Sequence, residues 1–571
     1  MQLSSELREQ ITKRLYKLYG TSANEITLKI EQRISEHIAS NGDSHKKIRE
    51  PYSHKDVYLI TYGDSVKEEG EFPLKTLKKF VDEELAELVN AVHILPFFPF
   101  SSDDGFSVID YKKVRPDLGD WSHIKALSKE YKVMADLVIN HISSKSEWFS
   151  NFLKNLEPEK DYFHVLPSDT DVSMVTRPRS TYLLSPVQTE SGQKHVWTTF
   201  SPDQVDVNFA NPDVLIEYLD ILLFYMSKGV KVIRLDAVAF LWKKKGSPSI
   251  HLEETHEVVR LIRDIASFVS PESIIITETN VPHKENISYF GDGDEAHMVY
   301  NFSLPPLLLH AILTGNATYL TQWSKTLTVP PKGCTYFNFT ASHDGIGVRP
   351  LEGLVPQEEF EKIVSGVIKR GGEVSYKQNP NGIKSPYELN ITYFDAFSDP
   401  ENTDREAHIR RFMCSQALMM GFRGVPAIYI HSFTATFNYH KGVRESGVKR
   451  AINRMKWNYD EIKELLHDEQ SVSRTVLDQW RILLNVRRNE PAFDPQGGKK
   501  VLSSPPEVFA MWRCSPDGKN RILIAGNVSS KSVSWRAPFR WNKATELITE
   551  EPLAANDTLH LSPWQVMWVK Y

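Results

Sequence analysis

Lys231-Val-Ile-Arg-Leu-Asp-Ala-Val-Ala-Phe240 opens as an apolar, β-branched run and then breaks into two charges, Arg234 and Asp236, with one residue between them. Side chains two apart on a strand leave from the same face, so both charges point the same way. The run before it, Val214 to Met226, is apolar at helical spacing and ends at Gly229. Helix, short turn, strand, and an Arg and Asp at the strand's carboxyl end form one unit of a parallel α/β protein. In a (β/α)8 barrel that end of the strand carries the chemistry. In isolation the same pattern fits a structural ion pair, because buried charges are paired in any protein.

Working outward, the same unit recurs. Buried-strand patterns stand at Val57–Tyr62, Ala91–Pro96, Val133–Ile139, Ser273–Glu278, Ala296–Tyr300, Thr335–Thr340 and Gly424–Ile430, separated by helical runs. With the opening stretch they make eight, the closure number of the barrel. The expected fold is therefore an α/β (β/α)8 TIM barrel carried by residues 56–141, 211–344 and 405–490. Two interruptions, 142–210 and 345–404, read as inserted domains B and B′, because structureless loops of that length are uncommon in a compact domain. Residues 1–55 read as an amphipathic helical extension: Leu3, Leu7, Ile11, Leu15 and Leu18 share a face and Gly20 ends the run. A second helix follows over 23–38, then a polar linker marked by Asn41-Gly42-Asp43 and Arg49-Glu50-Pro51. Short alternating runs at 508–512, 521–525, 532–535 and 566–569 read as a C-terminal antiparallel β domain over 491–571.

Composition narrows the partners. The chain has 571 residues, 41% hydrophobic and 25% charged, with a net charge of −5, which gives no basis for a nucleic-acid partner. Cys334, Cys414 and Cys514 are too widely spaced for a disulfide framework or a metal motif and fit a reducing compartment. The first residues lack the apolar segment of a signal peptide, and no run of about 18 apolar residues would span a membrane. The expected location is cytoplasmic. Oligomeric state is left open.

Polar groups recur where the strands end: His141 after the third, Arg234 and Asp236 on the fourth, Glu278 on the fifth, His343 and Asp344 after the seventh. A closed barrel brings these ends to one pocket, and three carboxylates there suit glycosyl transfer: one attacks the anomeric carbon while another protonates the leaving oxygen. On Asp136-Leu-Val-Ile-Asn-His141, Val232-Ile-Arg-Leu-Asp-Ala237, Ile276-Thr-Glu278 and Ala341-Ser-His-Asp344, the chain resembles the α-amylase superfamily. Ile94-Leu-Pro-Phe-Phe-Pro99, Asp104-Gly-Phe106, Leu304-Pro-Pro-Leu-Leu-Leu-His310 and His343-Asp-Gly-Ile-Gly347 place the resemblance in its sucrose phosphorylase group. The resemblance implies Asp236 as nucleophile, Glu278 as general acid/base and Asp344 as transition-state stabiliser. It implies that Asp103, His141, Arg234 and His343 hold the glucosyl ring, that Phe106 and Phe200 wall the pocket, and that Gln204 lies close by. It further implies that inorganic phosphate is a co-substrate, clamped by Arg179, Tyr387 and Arg454, with no metal and no cofactor.

Three departures from typical sucrose phosphorylases resemble the glucosylglycerate phosphorylase branch of that group. They are the helical extension, Glu388 in Ser385-Pro-Tyr-Glu-Leu-Asn390 where glutamine is usual, and the segments Val175-Thr-Arg-Pro-Arg179 and 277–286. A glycerate acceptor needs a basic subsite, for which Arg177, Arg179 and also His283 or Lys284 are candidates, with Glu388 for its hydroxyls. A sucrose or sucrose 6′-phosphate phosphorylase, an α-glucosidase and a non-catalytic amylase-like interaction module stay open at this point. For a phosphorylase the partners are a small-molecule glucoside and phosphate, with no nucleic acid and no membrane.

Overall fold

The computed structural model describes residues 3–41, 51–179, 181–378, 384–555 and 558–571. Eight parallel strands close a barrel: β1 (Tyr58–Thr61), β2 (Ala91–Ile94), β3 (Lys132–Val138), β4 (Val230–Asp236), β5 (Ile274–Thr277), β6 (Met298–Tyr300), β7 (Thr335–Phe339) and β8 (Val425–Tyr429). Each pairs with its neighbours in chain order and β8 closes on β1, with Tyr58 opposite Ala427. All eight strand patterns read from the sequence are barrel strands.

The register sets the site. Asp136 on β3, Arg234 on β4 and Ile276 on β5 lie side by side, so Asp136 and Arg234 share the inward face. Below them the barrel is filled by aromatic rings: Tyr58 and Tyr300 both meet Phe337 edge-on, with centroids 5.2 and 4.8 Å away. This plug makes the barrel a packed core rather than a pore and leaves only the carboxyl-terminal mouth for ligands.

Two insertions wall that mouth. After β3, His141–Ser143 pairs antiparallel with Gln204–Asp206, and a hairpin of Leu184–Thr189 and Gly192–Trp197 stands behind. After β7, Ile346–Gly347, Lys384–Asn390 and Glu373–Gln378 form a three-stranded sheet in that order, and Gly347 sits opposite Glu388. Chain-terminal strands build a six-stranded antiparallel sheet that includes Val508–Cys514, Arg521–Asn527 and Val566–Lys570. The run at 532–535 lies outside this sheet: Val533–Trp535 pairs with Leu559–Leu561 as a separate ribbon.

The N-terminal extension is two helices, α1 (Ser5–Tyr19) and α2 (Ala23–Asn41). Ser4 caps α1 by accepting from the Leu7 amide, and Gly20 ends it at φ 58°, where a side chain would be strained. Ile11, Leu15, Ile26, Ile30 and Ile34 are buried, so the helices are part of the core. Arg14 reaches Asp264 at 2.7 Å, Asp294 at 3.2 Å and Glu257 at 3.3 Å. The polar linker expected after Asn41 falls largely on 42–50, outside the described residues.

Candidate active site

The floor of the mouth is a charge layer. His93 Nε2 lies 2.8 Å from Asp136 Oδ2, and Arg234 Nη1 donates to Asp136 and, at 2.6 Å, to Asp236 Oδ1. All of these groups are buried. One guanidinium therefore holds the nucleophile candidate in place and is itself fixed from below by Asp136. Neither His93 nor Asp136 carried a role in the sequence reading; Asp136 opens one of the quoted motifs, and a buried carboxylate two turns of the pleat below His141 was the available signal.

Asp236, Glu278 and Asp344 all line the cavity above this layer. Burial, followed for Asp236 by the charge of Glu278 and for Glu278 by that of Asp344, pushes both Asp236 and Glu278 above the ordinary carboxylate range. The pair therefore retains a proton, and its titration belongs to both groups together. Arg234 bonds Asp236 directly, whereas Glu278 accepts only the Ala237 amide at 3.3 Å. The direct Arg234 contact accordingly favours the charge on Asp236 over Glu278 within the pair that shares the proton. Asp344 behaves in the opposite sense: burial works against its charge, but Arg450, with His343, Arg454 and Arg234 behind it, holds it below the usual carboxylate range. Three carboxyls in one pocket are thus divided into an anion, an acid and a second anion.

The walls come from loops at strand ends. Asp103, Asp104 and Gly105 follow one another at φ 55°, 46° and 113°. A Cβ on Gly105 would stand 2.8 Å from the Pro96 carbonyl oxygen, so only glycine fits there. Asp203 anchors this strained turn, accepting from Ser101 at 2.5 Å, Ser107 at 2.8 Å and Ser102. The turn sends Asp103 into the cavity and Asp104 away from it. Phe106 stacks on His343 with centroids 4.8 Å apart, and Phe200 leans on His141 at 5.2 Å. Burial pulls His343 down to about 3 and lowers His141 as well, so both imidazoles are neutral ligands for hydroxyls. Gln204 donates to Asp103 at 3.2 Å.

The rim holds the cations. Arg179, Tyr387 and Glu388 line the cavity, with the Arg179 guanidinium 5.9 Å from the Tyr387 ring centre. Glu388 is buried; it accepts the Gly345 amide at 2.6 Å and Arg450 at 3.1 Å. Arg450 also lies 2.5 Å from Asp344, so it bridges the two carboxylates from inside the cavity wall.

Four candidate site residues stand elsewhere. Arg454 does not line this cavity. Its Nε donates to the His343 carbonyl at 2.8 Å, its guanidinium takes Asp104, and it faces a neighbouring cavity with Tyr62, Asp64 and Lys456. It lies 3.8 Å from Asp344, behind the stabiliser rather than over the glucosyl position. The arginine after β8 that enters the pocket is Arg450, one helical turn earlier. Arg177 is also absent from the lining, although Pro178 and Arg179 beside it contribute; the Thr176 amide is tied to the Pro248 carbonyl, which turns the chain at this point. His283 packs against Tyr336 and Trp323 on the outside of the barrel, where burial lowers it to about 4, and Lys284 is exposed outside the cavity. Arg349 and Asn280, which the sequence reading did not single out, do line it.

Among the described residues no cluster of three His, Cys, Asp or Glu side chains could hold a metal, and no helix is long and apolar enough to cross a membrane.

A parallel barrel with an Asp, Glu and Asp at its carboxyl mouth over an Arg floor has the layout of a barrel enzyme whose carboxylates suit glycosyl transfer. The family described as alpha amylase, catalytic domain, matches residues 85–344. The chain is 48% identical to the glucosylglycerate phosphorylase of Spirochaeta thermophila over 514 residues, covering 90% of this chain and 87% of that protein. It is 44% identical to the glucosylglycerate phosphorylase of Escherichia coli over 521 residues, 91% of this chain and 92% of that one. The crystal structure of sucrose 6F-phosphate phosphorylase from Thermoanaerobacter thermosaccharolyticum superimposes with a TM-score of 0.71 at 25% identity, covering 83% of this chain and 94% of that one. The chain belongs to the α-amylase superfamily, within its sucrose phosphorylase group.

Proposed function

We infer that the protein is a glucosylglycerate phosphorylase, converting 2-O-α-D-glucosyl-D-glycerate and inorganic phosphate to α-D-glucose 1-phosphate and D-glycerate. The observation that carries this is the identity of 44–48% to glucosylglycerate phosphorylases along some nine-tenths of the chain. The pocket is compatible with it: Arg179 makes no ion pair within 4 Å among the described residues, so cationic capacity is left for an anion such as the phosphate co-substrate.

The chemistry follows from the protonation pattern. Asp236, charged and oriented by Arg234, attacks the anomeric carbon from the β face, opposite the departing glycerate oxygen. Glu278 gives its proton to the bridging oxygen, and D-glycerate leaves. Asp344, kept ionised by Arg450, faces the positive charge that develops on the sugar. Phosphate then enters the space glycerate vacated. Glu278, now a carboxylate, takes its proton as the phosphate oxygen attacks the glucosyl-Asp236 ester, and two inversions give net retention. Arg179 and Tyr387 are the groups placed to hold the phosphate, with Asp103, His141 and His343 on the glucosyl ring. No cofactor is needed for either step, and the acting location is proposed to be the cytoplasm.

The test is synthesis from α-D-glucose 1-phosphate with D-glycerate, glycerol, fructose or fructose 6-phosphate, following phosphate release. D-Glycerate should lead glycerol by roughly a hundredfold or more in kcat/KM, as expected where a site's buried charges would otherwise be unmatched. A lead for fructose or fructose 6-phosphate would replace this reading with a sucrose or sucrose 6′-phosphate phosphorylase.

A further inference from the structure

Arg349 lines the catalytic cavity, on the segment that leaves β7 immediately after Asp344. Its side chain is 17% exposed, and its Nε is buried without a hydrogen-bond partner. Among the described residues its one ion-pair partner within 4 Å is Glu352, at 4.0 Å and half exposed. Arg234 Nε is likewise without a partner, but the Arg234 guanidinium holds Asp136 and Asp236 and that of Arg450 holds Asp344 and Glu388, each within 3.1 Å, so Arg349 stands apart by lacking a close carboxylate. Leaving a guanidinium donor dry and unpaired is costly, and such a group at the wall of a ligand cavity is explained when an anion completes it.

A second unmatched group stands beside it. Asn280 lines the same cavity, and its Oδ1 is buried with no partner. The two are held together by backbone: Gly347, two residues before Arg349, lies so close that a Cβ there would stand 2.8 Å from Asn280 Nδ2. One rim position therefore offers a cationic donor fork and, next to it, a free carbonyl acceptor. A carboxylate with a neighbouring hydroxyl matches that pair of deficits; a neutral polyol satisfies only the acceptor. Pro350 fixes the backbone directly after Arg349, and its carbonyl accepts from Ser303, so the fork is presented by a rigid turn rather than a mobile arm.

Resting on the glucosylglycerate reading, we propose that Arg349 is the carboxylate clamp of the acceptor subsite and that Asn280 takes an acceptor hydroxyl. This assigns to the second insertion the discrimination that the sequence placed on Arg177, and it separates acceptor recognition from the phosphate contact of Arg179.

The experiment compares wild type, Arg349→Gln and Arg349→Lys in synthesis from α-D-glucose 1-phosphate, with D-glycerate and glycerol as paired acceptors. The readout is the ratio of the two kcat/KM values. For Arg349→Gln the ratio should fall on the order of thirtyfold or more, the lower end of what truncating one partner of a buried charge pair costs. Arg349→Lys keeps the charge without the fork and should give an intermediate ratio. It also serves as the probe should Arg349→Gln fail to fold. A wild-type ratio in whichever variants fold overturns the clamp while leaving the function intact. A ratio unchanged alongside a raised KM for phosphate, measured in phosphorolysis of α-D-glucosyl fluoride, assigns Arg349 to phosphate and also overturns it. A wild-type protein that does not favour D-glycerate removes the functional reading itself, and the clamp with it.

Discussion

Removing Arg450 should do more damage than removing any other cation of the pocket. The guanidinium stands 2.5 Å from Asp344 and 3.1 Å from Glu388, both withdrawn from water on the protein side. At an effective dielectric of about 20 those distances correspond to gross attractions of about 7 and 5 kcal/mol, most of which offsets the cost of desolvating three charges. Arg450→Ala leaves the buried Glu388 without its counter-charge and Asp344 with only the more distant Arg454, 3.8 Å away, and breaking a buried pair in this way costs about 3–5 kcal/mol. Asp344, whose charge Arg450 principally sustains, then binds a proton more readily, and kcat/KM should fall on the order of a hundredfold or more as the stabiliser loses its charge and position. Glu388→Gln supplies the control. Glutamine still accepts the Gly345 amide, so Arg450→Ala with Glu388→Gln should regain about 1–2 kcal/mol relative to Arg450→Ala alone. Urea unfolding followed by circular dichroism reads stability, and phosphate release reads activity. A single variant within about 1 kcal/mol of wild type, or a double variant no more stable than the single, would falsify the bridging role.

Two further outcomes are expected. Glu278 acts in its protonated form, and burial followed by the charge of Asp344 raises it, so kcat/KM should fall as pH rises through the upper apparent value of the Asp236–Glu278 pair. With α-D-glucosyl fluoride, whose leaving group needs no acid, Glu278→Gln should lose that alkaline limb; a limb that persists assigns it to another group. Gly105→Ala forces a side chain into a φ of 113° and against the Pro96 carbonyl, which should cost about 1–3 kcal/mol and, by displacing Asp103, raise KM for the glucosyl donor. Wild-type urea midpoint and KM together would show that the turn is not what positions Asp103.

The barrel was legible because the strands are short, mostly apolar runs of β-branched, aromatic and other hydrophobic residues that alternate with helical patterns eight times. The three cavity carboxylates were legible because they follow strand ends: Asp236 closes β4, Glu278 comes one residue after β5 and Asp344 five after β7. The rim was not. Arg450 and Arg454 are one helical turn apart in a loop whose path depends on Asp104, Asp344 and Glu388, residues distant in sequence, so nothing local distinguishes the arginine in the cavity from the one behind it. Arg177 and Arg179 alternate as if on one face, yet a backbone bond from Thr176 to Pro248 redirects the segment. Arg349 follows Gly347 and Val348 as an ordinary loop cation, and its lack of a partner is a property of the fold. Gly498–Val501, an edge strand of the terminal sheet, begins with glycine and two lysines and gives no strand signal.

The anchoring of α1 has a consequence for synthesis. Arg14 finds its partners 243 to 280 positions later in the chain. At about 5–20 residues per second the amphipathic helices emerge from the ribosome some 10–60 s before the helix that receives them exists. During that interval Ile11, Leu15, Ile26, Ile30 and Ile34 are covered only where the two helices face each other, so the docking of α1 waits until residues beyond 250 have been made.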